Sequence, residues 1–89
     1  MERKHVYYSG KVQGIGFRAT AQHLASGFGL AGFVHNMPDG RVEMIVEGAA
    51  EKIGPFLEAI LREMGHKIRD IDIVAEPPGE PHFDGFEIH

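Results

Sequence analysis

The chain has 89 residues, no cysteine, and a net charge of −4 with its histidines neutral. That length holds one domain, residues 1–89, and leaves no room for a large internal cavity. Without cysteine there is no disulfide framework and no thiolate chemistry, which fits a cytoplasmic location, and the acidic balance argues against a general nucleic-acid footprint, which is basic.

The first five residues run straight into a strand pattern, without the apolar segment of a signal peptide. His5–Val12 alternates loosely, with Val6, Tyr8 and Val12 on one face and Tyr7 between them. Residues 13–17 form a short loop. From Arg18 to Phe28, apolar residues at Ala21, Leu24, Ala25 and Phe28 recur at helical spacing, and Gly27 and Gly29 end that helix. Leu30–His35 is expected as a second strand, with Leu30, Gly32 and Val34 facing one way. Asn36-Met37-Pro38-Asp39-Gly40 has turn chemistry. Arg41–Glu47 alternates cleanly and hairpins with the strand before it. Glu51–Met64 carries an amphipathic stripe of Ile53, Phe56, Leu57, Ile60, Leu61 and Met64, with Pro55 early, where proline costs least, and Gly65 as its stop. Ile68–Ala75 is a fourth strand. Residues 77–81 are a structureless connector, and Phe83 with Phe86-Glu87-Ile88 makes a short last strand. No apolar run approaches the roughly 20 residues needed to span a bilayer.

The order β-α-β-β-α-β predicts a ferredoxin-like α/β sandwich: an antiparallel sheet with two helices on one face and the other face partly exposed.

Gln13-Gly14-Ile15-Gly16-Phe17-Arg18 is the most telling stretch. Two glycines let bare backbone N–H groups approach a ligand, and the helix behind them points its unpaired donors at the same place. Arg18 adds a planar fork suited to phosphate oxygens. Gly14–Ala19 fits G-x-G-x-x-A on paper, but the doubly wound dinucleotide domain is longer than this chain, and a Walker loop would end in Gly-Lys-Ser/Thr, which is missing. Asn36, at the end of the second predicted strand, has a carboxamide that donates and accepts. Beside a phosphate clamp it is suited to orienting a water molecule; alone it reads as turn chemistry.

Gly10–Arg18 resembles the first signature of the acylphosphatase family. Gly32–Val42, followed by Gly48, resembles its second, and length, element order and the closing Phe86-Glu87-Ile88 agree. The resemblance implies hydrolysis of acyl phosphates to a carboxylate and inorganic phosphate, with phosphate as product and inhibitor and with no metal, cofactor or covalent intermediate. It implies that Arg18 binds the phosphoryl group, that the backbone of Gln13, Gly14, Ile15, Gly16 and Phe17 cradles its oxygens, and that Asn36 orients the attacking water. The chain departs from the family pattern at His35, where a cation is common, at Ala19-Thr20, where bulkier residues are common, and at Gly65-His66. These touch rate and substrate preference more than reaction class.

Other readings compete less well. Six histidines, at 5, 23, 35, 66, 82 and 89, show no metal-ligand spacing and read as scattered surface residues. An RNA-binding domain of the same topology would carry aromatics on its third strand, and Arg41–Glu47 has none. Nucleic acid and membrane are therefore not expected partners, and a monomer is expected. An anion-binding module without turnover, or a domain of a larger carbamoyl-transfer maturation protein, stays open, with the closing strand favouring a free-standing enzyme.

Overall fold

A computed structural model describes residues 1–89. Its elements are β1 (Glu2–Gly10), α1 (Phe17–Gly27), β2 (Ala31–Asn36), β3 (Val42–Gly48), α2 (Ala50–Met64), a 3-10 turn (Gly65–Lys67), β4 (Ile68–Glu76) and β5 (Phe86–Ile88). They form one five-stranded sheet in the order β4-β1-β3-β2-β5. The first four strands of that order pair antiparallel, as expected. The short β5 adds to β2 in parallel, with Phe33 opposite Glu87, so the sheet is mixed.

Strand parity explains the core. Val6, Tyr8, Val34, Val42, Met44 and Val46 alternate with outward residues and are completely or almost completely buried. The helices cover that face with Phe17, Ala21 and Ala25 from α1 and Ile53, Phe56 and Ile60 from α2. Phe56 sits at the centre, edge-on to Phe28 at 6.3 Å and to Phe86 at 6.2 Å. No helix is long and apolar enough to cross a membrane.

Several expectations are corrected. Leu61 belongs to the predicted stripe but is 45% exposed, while Ala59 is buried in its stead. Ile71 and Ile73 stand on the helix-side parity of β4, opposite Tyr8 and Val6, yet are 36% and 48% exposed. The helices lie over β3, β2 and β5 and leave the β4 edge uncovered. Phe83 lies outside the last strand, on the opposite sheet face, where its ring packs against Phe33 at 5.9 Å.

The first strand begins at Glu2 rather than His5, pairing there with the ends of β3 and β4, and it carries Arg3 into the interior. Its side chain is only 2% exposed. Nε donates to Glu47 Oε1 at 2.9 Å and Nη2 donates to the same carboxylate. Nη2 also donates to the carbonyls of Gly79 at 3.0 Å and Pro81 at 2.6 Å, and Nη1 to that of Glu80 at 3.2 Å. The guanidinium lies 5.2 Å from the centre of the Phe83 ring. A buried charge is tolerated only when paired and fully hydrogen-bonded, and Arg3 meets that condition. The connector after β4 has no regular structure, as expected, but it is clasped to the sheet face opposite the helices.

Candidate active site

The loop between β1 and α1 is held at both ends. Lys11 N–H donates to the Lys67 carbonyl at 2.9 Å, and Val12 is buried. At the far end Phe17 is buried at 2% exposure, its ring 4.8 Å from that of Tyr8. Phe17 was expected in the loop and is instead the first helical residue. Its side chain is an anchor, and only its backbone faces the loop.

Between these anchors Gly14 and Gly16 take φ of 77° and 83°, a conformation that side-chain-bearing residues rarely adopt. Open space lies where a Cβ would project from either one. Gly16 is also the cap of α1. No side chain caps the helix and no acidic residue stands in its first turn. The partial positive charge of the helix start is therefore left unopposed. Ile15, at the tip, is exposed.

Arg18 follows as the second residue of α1, half-buried. Nη1 donates to the His89 carbonyl at 3.0 Å. His89 is fixed in turn by its N–H to the Val34 carbonyl at 2.9 Å and by stacking on Phe33 at 5.0 Å. One carbonyl thus aims the guanidinium and leaves further N–H donors for a ligand. Arg18 lines a cavity of about 170 Å³ with Gly14, Gly16, Phe17, Ala19 and Ile88. No carboxylate, imidazole or hydroxyl side chain belongs to that lining.

Asn36 ends β2 opposite Val42 and is half-buried. It does not line the Arg18 cavity. The two parts are joined by Gln13, whose side chain was not expected to act. Gln13 Nε2 donates to the carbonyls of Met37 at 2.8 Å and Arg41 at 2.9 Å, stapling the glycine loop to the turn that follows Asn36. That turn is closed by Met37 N–H to the Arg41 carbonyl at 2.8 Å. Asp39 accepts from Arg41 N–H at 3.1 Å and from Arg41 Nε at 2.8 Å. The Arg41 backbone and guanidinium together hold the Asp39 carboxyl below its ordinary range. Gln13→Met keeps length and bulk but removes both donors. It is expected to lower kcat roughly tenfold through misplacement of the loop against the turn, with little change in inhibition by phosphate. Weakening of phosphate inhibition in proportion would show that Gln13 shapes the loop alone.

A second polar network, on the sheet face away from the helices, was not foreseen. His5 was read as a scattered surface residue, but its Nδ1 lies 2.6 Å from Glu76 Oε1 and its Nε2 2.5 Å from Glu43 Oε2, while His35 Nε2 lies 2.5 Å from Glu43 Oε1. The hairpin register contained part of the clue, because it sets His35 directly across from Glu43; the pairing of β1 with β3 adds Tyr7 on the other side. Burial alone would lower the His5 imidazole; the carboxylates of Glu43 and Glu76 outweigh it and leave it above its ordinary value. Burial would raise Glu43, but hydrogen bonds from His35, His5 and Tyr7 outweigh it and hold it below its ordinary value.

The raised imidazole stabilises the fold below its ordinary 6.5, and that contribution is lost as pH rises through its folded value. The lowered carboxyl stabilises above its ordinary 4.5, and that contribution is lost as pH falls through its folded value. Both are present between about pH 4.5 and 6.5. The melting temperature of the wild type minus that of His5→Gln is expected to be greatest in this window and to shrink on either side. A difference independent of pH would show that the network is not titrating.

The fold and this site define a ferredoxin-like α/β sandwich with a two-glycine loop leading into the uncapped start of its first helix. The family model for acylphosphatase matches residues 4–88. The acylphosphatase of Methylococcus capsulatus is 40% identical over 82 residues, covering 85% of this chain and 89% of that protein. The crystal structure of acylphosphatase from Bacillus subtilis matches with a TM-score of 0.88 at 34% identity, covering 100% of this chain and 99% of that one. The crystal structure of HypF from T. kodakarensis matches with a TM-score of 0.85 at 30% identity, covering 100% of this chain but 12% of that one. The chain belongs to the acylphosphatase family and is an enzyme of that class.

Proposed function

We propose that the chain hydrolyses the carboxyl-phosphate bond of acyl phosphates, with Arg18 and the backbone of residues 13–17 binding the phosphoryl group and Asn36 orienting the attacking water. The observation that carries this reading is the uncapped start of α1, where two left-handed glycines and an aimed arginine converge on one cavity. Phosphoryl transfer asks little covalent work of a protein; positioning and charge stabilisation do most of it. Arg18 and the loop amides hold the equatorial oxygens, and they gain strength as charge builds there in the transition state.

Water attacks phosphorus as the bond to the acyl oxygen breaks. The carboxylate departs with the bonding electrons, and the water's proton passes to a phosphoryl oxygen. A carboxylate is a good leaving group and needs no strong general acid. The cavity lining offers neither a nucleophile for a covalent intermediate nor a side chain to act as base. The rate is therefore expected to follow ionisation of the substrate, without a limb from an enzyme group near neutrality.

The deciding experiment is hydrolysis of benzoyl phosphate by wild type and Arg18→Ala with a chelator present. Turnover by the wild type, unaffected by chelator and competitively inhibited by phosphate and sulfate, is expected. The likeness to a small part of HypF keeps a second reading in view, an anion-binding domain without turnover. Phosphate binding with no hydrolysis would establish it.

A further inference from the structure

A second space adjoins the phosphate-loop cavity. It is a groove of about 310 Å³ between the helices, lined by Ala19, Thr20, His23 and Leu24 of α1 and Glu63 of α2. Ala19 lines both spaces. The groove is mixed in character: the methyl of Ala19 and the side chain of Leu24 are apolar, the Thr20 hydroxyl and His23 ring offer hydrogen bonds, and Glu63 places a carboxylate at the rim. No lysine or arginine lines it.

Its position suits the geometry of the reaction. In-line displacement puts the leaving oxygen opposite the attacking water. Asn36 belongs to β2, in the sheet layer, whereas the groove belongs to α1 and α2, in the helix layer. The phosphate loop joins β1 to α1 and so bridges the two layers. With the water on the Asn36 side, in-line displacement would send the acyl oxygen to the helix side of the loop, where the groove lies.

We propose that this groove is the subsite for the acyl group, and that it takes an uncharged or amino-bearing acyl chain larger than acetyl in preference to one ending in a carboxylate. The inference rests on the acyl phosphate reading above. Size selection follows from the volume beside Ala19. Charge selection follows from Glu63, which repels an acyl carboxylate with no lysine or arginine in the lining to compensate.

The test compares kcat/KM for acetyl, benzoyl and monosuccinyl phosphate in wild type, Thr20→Phe and Glu63→Arg. Thr20→Phe fills the groove and leaves Arg18 and the loop residues themselves unaltered. It is expected to lower kcat/KM for benzoyl phosphate about tenfold, mainly through KM, on the scale of losing one packed apolar group, while acetyl phosphate changes less than about twofold. Glu63→Arg, at an exposed position, is expected to raise the ratio of monosuccinyl to benzoyl phosphate about threefold to tenfold, the scale of an exposed charge pair reversed in sign. Equal changes on all three substrates, or none, would overturn the subsite and leave the hydrolytic reading standing. Failure of the wild type to hydrolyse any of the three would overturn the hydrolytic reading, and the subsite with it.

Discussion

Arg18→Ala is expected to lower kcat/KM for benzoyl phosphate by roughly three orders of magnitude, the scale of removing an arginine from a phosphoryl-transfer site. Three orders correspond to about 4 kcal/mol of lost transition-state stabilisation. Folding does not explain such a loss. Arg18 lies outside the hydrophobic cluster, its one side-chain bond is to the His89 carbonyl, and alanine is the best helix former. An unchanged melting temperature within a few degrees checks this. Arg18→Lys separates charge from shape: the ammonium retains the charge but cannot hold two phosphoryl oxygens in a plane while also meeting His89. It is expected to recover only a small part of the activity. Activity of Arg18→Ala within tenfold of wild type would remove Arg18 from the role assigned to it.

Asn36→Ala is expected to lower kcat on the order of a hundredfold, as for other oriented polar groups that act on the transition state, and to leave competitive inhibition by phosphate nearly unchanged. The contrast arises because the two residues stand on different elements. Arg18 is the second residue of α1 and lines the cavity with the glycines, whereas Asn36 closes β2 outside that lining. A phosphate ion resembles the bound group without the incoming water, so its affinity reads the first and ignores the second. Asn36→Asp is expected to lose at least as much as the alanine variant, because a carboxylate beside a bound phosphoryl group would repel its oxygens. Equal weakening of phosphate by Arg18→Ala and Asn36→Ala would contradict this division of labour.

The sheet and helices are legible in the sequence because one buried face imposes a period. Val42, Met44 and Val46 alternate, and Ile53, Phe56 and Ile60 recur every three or four residues. The glycine loop is legible for a related reason, since Gly14 and Gly16 stand where left-handed backbone is needed. What could not be read locally depends on partners far along the chain. Arg3 looks like a solvated residue before the first strand until Glu47 and three carbonyls from residues 79–81 surround it. Gln13 looks like one more loop residue until its amide meets Met37 and Arg41. Leu61 and Ile73 have the correct parity but lie beyond the reach of the packed layer. Period tells which side of an element is apolar; it does not tell where the opposite layer ends.

The contact between Arg18 and His89 spans 71 residues, and the Arg3 clasp spans 76 to 78. Closing such long loops costs entropy before any packing repays it, so a fold rich in them is completed slowly. The strand that delivers His89 has three residues, lies at the sheet edge and pairs with one strand, β2. It is among the first elements to open and the last to close. Competence for catalysis is thus gained late in folding and lost early in unfolding. On gentle warming, activity should fade while the packing of α2 on β3 is still intact.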